Sequence, residues 1–255
     1  MHPIIALWAH PRSMSTAVER IMRERGDLIC MHEPFLYDYY LGRKIRVLPL
    51  FEPEPGTPTR YEDIRDSIVE AAERGPVFFK DMSYYVMPRL LEDVGFAQRL
   101  THCFLIRNPL AAIASYYRLD PEVTLDEIGL VAQWAQFQGL EILLGRRPLV
   151  MESEAIQADS KAMMTAVWQQ LGLSYREEAF SWNAEEVPKD WQQVGGWHGK
   201  VSESGGIRAP SGDARQAAEA RFNALAQEAP QLRRYLDAHR PAYEALQARA
   251  FRPAR

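Results

Sequence analysis

Residues 4–22 read IIALWAHPRSMSTAVERIM. An unbroken apolar run of six, IIALWA, turns through HPRS into a stretch that begins with Ser15 and Thr16 and continues with helical periodicity, which predicts a buried strand over 4–9 and a helix over about 14–25. A turn from a strand straight into a helix aims several backbone N–H groups and the positive helix end at one spot, and Ser13, Ser15 and Thr16 add hydroxyls there. Those hydroxyls would also serve as ordinary helix caps. Arg12 favours an anion, because a cap needs no cation. Aligned on Thr16, the ATP-binding pattern GxxxxGK[ST] would have Ala9 and Met14 for its glycines and Ser15 for its lysine. The cation that supports chemistry at a γ-phosphate is absent, which weakens a phosphotransferase reading.

The rest of the chain repeats this unit. Apolar runs recur at 28–31 (LICM), 77–79 (VFF), 102–106 (HCFLI) and 148–151 (PLVM), spaced by helical patterns at about 61–74, 86–99, 109–118, 124–145 and 155–171. The rhythm is that of an α/β protein with a five-stranded parallel sheet and helices on both faces. Residues 35–60, rich in aromatics and then proline, read as an insertion on the acceptor side. Residues 181–213 read as a late loop holding three tryptophans, and 213–247 as a C-terminal helical segment. With 255 residues, 47% hydrophobic and 25% charged, the expectation is one domain spanning 1–255. The net charge of −4 excludes a surface built as a whole for polyanions, so no nucleic-acid partner is expected and any anion site is local. Cys30 and Cys103, each inside an apolar run, read as unbridged thiols. No signal-peptide pattern and no apolar run of membrane-spanning length are visible, so the expectation is a cytoplasmic protein without a membrane partner.

A second constellation lies at 102–118, HCFLIRNPLAAIASYYR. The strand delivers Arg107 at its end, Asn108 is placed to cap, Pro109 suits the first helical position, and Ser115 follows two turns later, where it and Arg107 can face one anion. Taken together, PRSMST after the first strand and RNPLAAIAS after a later one resemble the sulfotransferase family, and the resemblance covers roughly residues 4–170. It implies a P-loop NTPase-like sulfotransferase fold and, as co-substrate, 3′-phosphoadenosine 5′-phosphosulfate without a metal. The first motif, Arg12 to Thr16 with Met14 inside it, would hold the 5′-phosphosulfate; Arg107 and Ser115 would hold the 3′-phosphate. Three features depart from the family: Met14 stands where glycine is usual, no tryptophan follows Thr16 where cytosolic members stack the adenine, and the late RKG signature is missing. Trp197, Lys200 and Arg208 of the late loop are the candidates to stand in for it, with Trp197 stacking the base.

Two further strand ends carry the chemistry. MHEPF at 31–35 puts Glu33 where open α/β sheets bind ligands, and Glu33 resembles the glutamate base of heparan-type and bacterial sugar sulfotransferases. His32 is the adjacent rival for that role. The end of the second strand is expected beside the end of the first, aiming Glu33 at the donor sulfur. FFKDMSYY at 78–85 is similar to a KTPxYF segment whose lysine neutralises the leaving phosphate oxygen, a role that would fall to Lys80 with Arg12 assisting. Without the resemblance, Asp81 would be a weak magnesium ligand. Phe35, Tyr37, Tyr39, Tyr40, Tyr84 and Tyr85 are candidates for the wall of an acceptor pocket, most of them for packing. The reading is a transferase acting on a hydroxyl, or less readily an amine, of a small-molecule acceptor. The alternatives are a nucleotide-dependent phosphotransferase and a non-catalytic nucleotide-binding module on the same scaffold.

Overall fold

A computed structural model describes residues 1–184, 187–197, 205–207, 209 and 213–253. Five strands, β1 (Ile4–Ala9), β2 (Ile29–His32), β3 (Val77–Met82), β4 (Leu100–Ile106) and β5 (Leu149–Glu152), form one sheet in the order β2-β3-β1-β4-β5. Every pairing is parallel, so all five carboxyl ends open on one side of the sheet.

The order corrects one expectation. β2 does not lie beside β1, because β3 pairs with both. The burial explains it: every residue of β3 is buried, whereas three of the four residues of β2 are only half-buried, and a strand walled on both faces belongs inside the sheet while a short, partly open one belongs at its edge.

Alternation along the strands divides the core into two layers. Ile4, Ala6 and Trp8 of β1 pack with Phe79 and Phe104 beneath α2 (Tyr61–Arg74) and later helices; Ile5 and Leu7 pack with Phe78, Cys103 and Leu105 beneath α1 (Ser15–Glu24). Cys103 is buried and Cys30 half-buried, both unbridged, and burial pushes both thiols up to about 12.

Several expected helices are divided where the chain cannot continue them. The stretch 86–99 becomes α3 (Ser83–Val86), α4 (Arg89–Glu92) and α5 (Val94–Arg99), broken at Pro88 and again at Asp93, whose side chain caps α5 by accepting from Phe96 N–H at 3.2 Å. After α6 (Pro109–Tyr117), the stretch 124–145 is interrupted at Gly129, which takes φ 82° between a short 3-10 turn and α7 (Leu130–Leu144). Asp159 caps a second helix inside 155–171, giving α8 (Ser153–Ala158) and α9 (Ser160–Gln170). The C-terminal segment is two helices, α10 (Ala214–Glu228) and α11 (Gln231–Gln247), parted at Ala229 and Pro230.

α6, α10 and α11 share a third apolar cluster, in which Ile113, Ala114 and Tyr116 meet Phe222, Ala226 and Leu232. Residues 35–60 are irregular apart from a π-helical turn at Asp38–Gly42. A side chain at Gly42 would place its Cβ 2.1 Å from the Thr59 carbonyl oxygen, so the two ends of the insertion close on a glycine. Among the described residues no helix is long and apolar enough to cross a membrane.

Candidate active site

The carboxyl ends of β1, β2, β3 and β4 surround a cleft of about 1430 Å³, closed on its far side by α10 and α11. The loop after β1 forms its floor. Arg12 takes φ 63° and Met14 φ 69°, so the turn demands left-handed backbone at the position where the resembled family has glycine, and the methionine adopts it all the same. Met14 is the N-cap of α1 without capping it through its side chain, and Met14, Ser15 and Thr16 line the cleft. Ser13 does not. It is fully buried, its N–H is spent on the His10 carbonyl at 3.3 Å, and its own carbonyl accepts from Ser153. The Ser13 backbone anchors the turn, while its buried Oγ makes no hydrogen bond among the described residues.

The two sequence constellations meet here. Arg12 donates through Nε to Ser115 Oγ at 3.1 Å, and Arg107 donates through Nη1 to the Arg12 carbonyl at 2.8 Å. Neither guanidinium forms an ion pair among the described residues. Burial, and then the charge of Arg107, pull the Arg12 guanidinium below its ordinary value; burial does the same to Arg107. His10 supports the pair from below, its Nε2 accepting from Arg107 N–H at 3.0 Å. That bond requires a neutral ring, and burial, followed by the nearby Arg107, depresses the His10 pKa to about 3. Asn108 caps α6 by accepting from Leu110 N–H at 3.0 Å, with Pro109 in the first turn, as the spacing predicts.

Glu33 follows β2 in left-handed backbone, φ 42°, and is 5% exposed, yet lines the cleft. Lys80, wholly buried in β3 beside His32 in the register, donates to Glu33 Oε1 and lies 3.4 Å from Thr16 Oγ1. The ammonium therefore stands between the carboxylate and the first turn of α1. It reaches there because Lys80 shares its strand face with Phe78, on the α1 side of the sheet. Tyr85 approaches the other Glu33 oxygen at 3.4 Å.

The rival base stands behind Glu33, its Nε2 3.8 Å from Glu33 Oε1. His32 gives Nδ1 to Glu19 Oε2 at 2.6 Å, does not line the cleft, and has its pKa driven well below 6.5 by burial and then by Lys80. Asp81 is no free ligand either: its two oxygens accept the N–H groups of Phe35 and Met82 at 2.8 and 2.9 Å.

Of the six aromatics, only Tyr84 and Tyr85 line the cleft. Phe35 packs on Tyr61, Phe79 and Phe96, while Tyr39 and Tyr40 brace Tyr84 and Tyr85 edge-on. Trp197 lines the cleft edge-to-face against Tyr116, 5.4 Å between ring centres, with its indole N–H on the Pro49 carbonyl at 2.9 Å and its own carbonyl accepting from Arg12 Nη1 at 2.7 Å. Lys200 and Arg208 lie outside the described residues.

Several residues carry the site without a sequence signal. Glu19, fully buried in α1, holds His32, Arg23 (2.8 Å) and the Trp191 indole (2.9 Å). Ser153 directly follows β5 and was missed, although the strand-end logic that singles out Glu33 reaches it too.

The family model for the sulfotransferase domain matches residues 2–250. Among curated proteins, two from Arabidopsis thaliana are similar: branched-chain-amino-acid aminotransferase-like protein 2, 23% identical over 220 residues, and protein 1, 26% identical over 212 residues. Each match covers 81% of this chain, which spans only 36% and 37% of the relatives' own lengths. Among solved structures, a sulfotransferase domain from the curacin biosynthetic pathway aligns at 10% identity and TM-score 0.46, covering 90% of this chain and 98% of that one. A mouse sulfotransferase complexed with PAP aligns at 13% identity and TM-score 0.43, covering 96% and 89%.

Proposed function

The chain belongs to the sulfotransferase domain family, and from that premise we propose that it moves a sulfuryl group from 3′-phosphoadenosine 5′-phosphosulfate to a hydroxyl of a small-molecule acceptor. One observation carries the reading: Arg12 and Arg107, from the ends of two neighbouring strands, converge, Arg12 donating to Ser115 and Arg107 to the Arg12 carbonyl, with no carboxylate ion-paired to either among the described residues. Like charges drawn together out of water are unfavourable by themselves, and a ligand that brings a phosphate to each of them reverses the sign.

In the proposed reaction the acceptor oxygen attacks sulfur in line. The new O–S bond forms as the S–O bond to the 5′-phosphate breaks, and the acceptor proton passes to Glu33. Lys80 and Arg12 face the charge that develops on the leaving phosphate oxygen, Lys80 from beside Thr16 and Arg12 from the turn. Arg107 and Ser115 hold the 3′-phosphate. The scaffold is taken as one domain over 1–255. The phosphotransferase alternative draws no support from Asp81, whose oxygens are both engaged by backbone. The aminotransferase-like name of the curated relatives belongs to proteins of which this chain spans a little over a third, and no part of the proposed chemistry rests on it.

Calorimetric titration with adenosine 3′,5′-bisphosphate and with AMP tests the reading. The bisphosphate binds more tightly, and Arg107→Ala removes about 1.5–3 kcal/mol of its binding, the range for a hydrogen bond to a charged group, with AMP little affected. Equal affinity of the two nucleotides for the unaltered protein refutes it.

A further inference from the structure

We propose that Arg221, on α10, completes the 3′-phosphate end of the donor site and sets its selectivity for a nucleotide carrying that phosphate. The inference rests on the donor proposed above. α10 is locked against α6, the helix that follows Arg107, by Phe222 and Ala226 packed on Ile113, Ala114 and Tyr116. Phe222 is fully buried and adjacent to Arg221 in sequence, so the helix cannot rotate Arg221 away without exposing the ring.

α10 lines the cleft with Ala214, Arg215, Ala217, Ala218, Glu219 and Arg221, of which Ala214, Ala217, Ala218 and Arg221 are spaced i, i+3, i+4, i+7 along one stripe of the helix. Three of the four stop at Cβ. Of that stripe only Arg221 has the length to extend toward Arg107, Ala111 and Ser115, which line the same cleft.

Arg221 is exposed and makes no hydrogen bond or ion pair among the described residues. Its charge nevertheless reaches Arg107: burial depresses the Arg107 pKa most strongly, Glu154 opposes it, and Arg221 adds a smaller lowering. Glu154 itself is engaged by the Asn108 N–H at 3.0 Å. The wall thus presents one half-buried and one exposed guanidinium to a common space, with a serine hydroxyl between the strand end and the helix. A phosphate dianion with three accepting oxygens suits this geometry, because each guanidinium offers a planar fork.

The experiment titrates adenosine 3′,5′-bisphosphate and AMP into the full chain and into Arg221→Ala, Arg221→Lys and Arg215→Ala. Arg215 also lines the cleft from α10 but is not among the charges acting on Arg107, so it controls for a general loss of positive charge. The expected result is a bisphosphate Kd raised roughly ten- to a hundredfold by Arg221→Ala, with AMP changed less than twofold. Arg221→Lys recovers part of the loss, and Arg215→Ala changes the bisphosphate Kd less than threefold. If the unaltered protein prefers the bisphosphate and Arg221→Ala keeps that preference, the assignment of Arg221 is overturned while the donor reading stands. Equal weakening by Arg215→Ala and Arg221→Ala overturns it as well, leaving only a diffuse field. A chain that does not distinguish the two nucleotides overturns both. Since Arg221 is exposed, a thermal melt matching that of the unaltered protein is expected for its variants.

Discussion

On the sheet side of the cleft, Arg12, Glu33, Lys80 and Arg107 stand at or beside strand ends whose register is held by parallel ladders. On the far side, Trp197 and Arg221 are carried by a 3-10 segment (Lys189–Trp197) and by α10. Neither joins the ladders, and individual side chains tie the 3-10 segment to the sheet side: Arg12 to the Trp197 carbonyl, Arg23 to Asp190, Tyr37 to Gln193 and Glu19 to Trp191. A ladder places several catalytic groups at once and holds them to a fraction of an ångström, as transition-state chemistry requires. Side-chain ties place one group each and can be broken singly. Chemistry should therefore concentrate on the first wall, and selectivity and closure on the second.

The largest effect expected on the first wall follows from Glu33→Gln. The amide still accepts a hydrogen bond from Lys80 but cannot take the acceptor's proton, so kcat falls roughly a hundredfold or more, the scale for a positioned acid or base. Bisphosphate affinity stays within a fewfold. His32→Ala is the contrast, because His32 is bonded to Glu19, stands behind Glu33 and does not line the cleft; its kcat changes less than tenfold. Steady-state kinetics with a working acceptor decide the matter. A dead His32 variant beside a normal Glu33→Gln enzyme would move the base to the imidazole.

The joint between the walls is tested by Glu19→Gln. Glu19 is the fully buried point at which α1, β2 and the 3-10 segment meet, through Arg23, His32 and Trp191. Neutralising it turns charge-assisted bonds into ordinary ones and costs about 1.5–3 kcal/mol of unfolding free energy by urea titration. Little change in the Glu33-dependent rate accompanies it. Unchanged stability would mean that the two walls are not coupled through this carboxylate.

The same division governs what could be read from the chain. IIALWA, VFF, HCFLI and PLVM mark strands because a wholly buried strand needs an unbroken apolar run, and a residue at a strand end is automatically at the mouth of a parallel sheet. Glu33, Lys80 and Arg107 were legible as cleft residues for that reason, and Ser115 from its spacing after Arg107 along α6. Strand order was not: whether β2 neighbours β1 or β3 depends on which strand is buried on both faces, and LICM and VFF look alike in that respect. Ser13 looked like its neighbours Ser15 and Thr16 until the fold spent its N–H on His10. Glu19 and Arg221 were invisible because a charged residue on a helix reads as solvated surface, and only tertiary packing decides that one is buried against Trp191 and the other lines the same cleft as Arg107.

The smallest effect concerns acid stability, and it separates the walls by one histidine from each. His102 in β4 accepts the Trp8 indole N–H at 2.8 Å through Nδ1 and gives Nε2–H to the Ala97 carbonyl at 2.8 Å. Burial depresses its pKa to about 4. His239 in α11 is held in the same way, accepting from Val131 N–H at 3.2 Å and donating to the Leu125 carbonyl at 2.8 Å, and is also depressed by burial. For both, the folded pKa lies below the unfolded value near 6.5, so the unfolded chain takes up the proton first. Their stabilisation is complete above pH 6.5 and is lost as pH falls toward the folded pKa, at about 1.4 kcal/mol per pH unit for one group. Asp81, raised by burial, works in the opposite sense over part of this window, which makes the total slope ambiguous and the difference between variants informative. Urea titrations at pH 6 and pH 5 are compared for the unaltered protein, His102→Gln and His239→Gln, so that each substitution's constant cost cancels. The sheet variant loses about 1.4 kcal/mol of the pH-dependent drop; the helix variant loses no more than that. A larger flattening from His239→Gln than from His102→Gln would show the C-terminal wall to be the more tightly sealed of the two, and would break the contrast between a rigid sheet side and a singly tied far side.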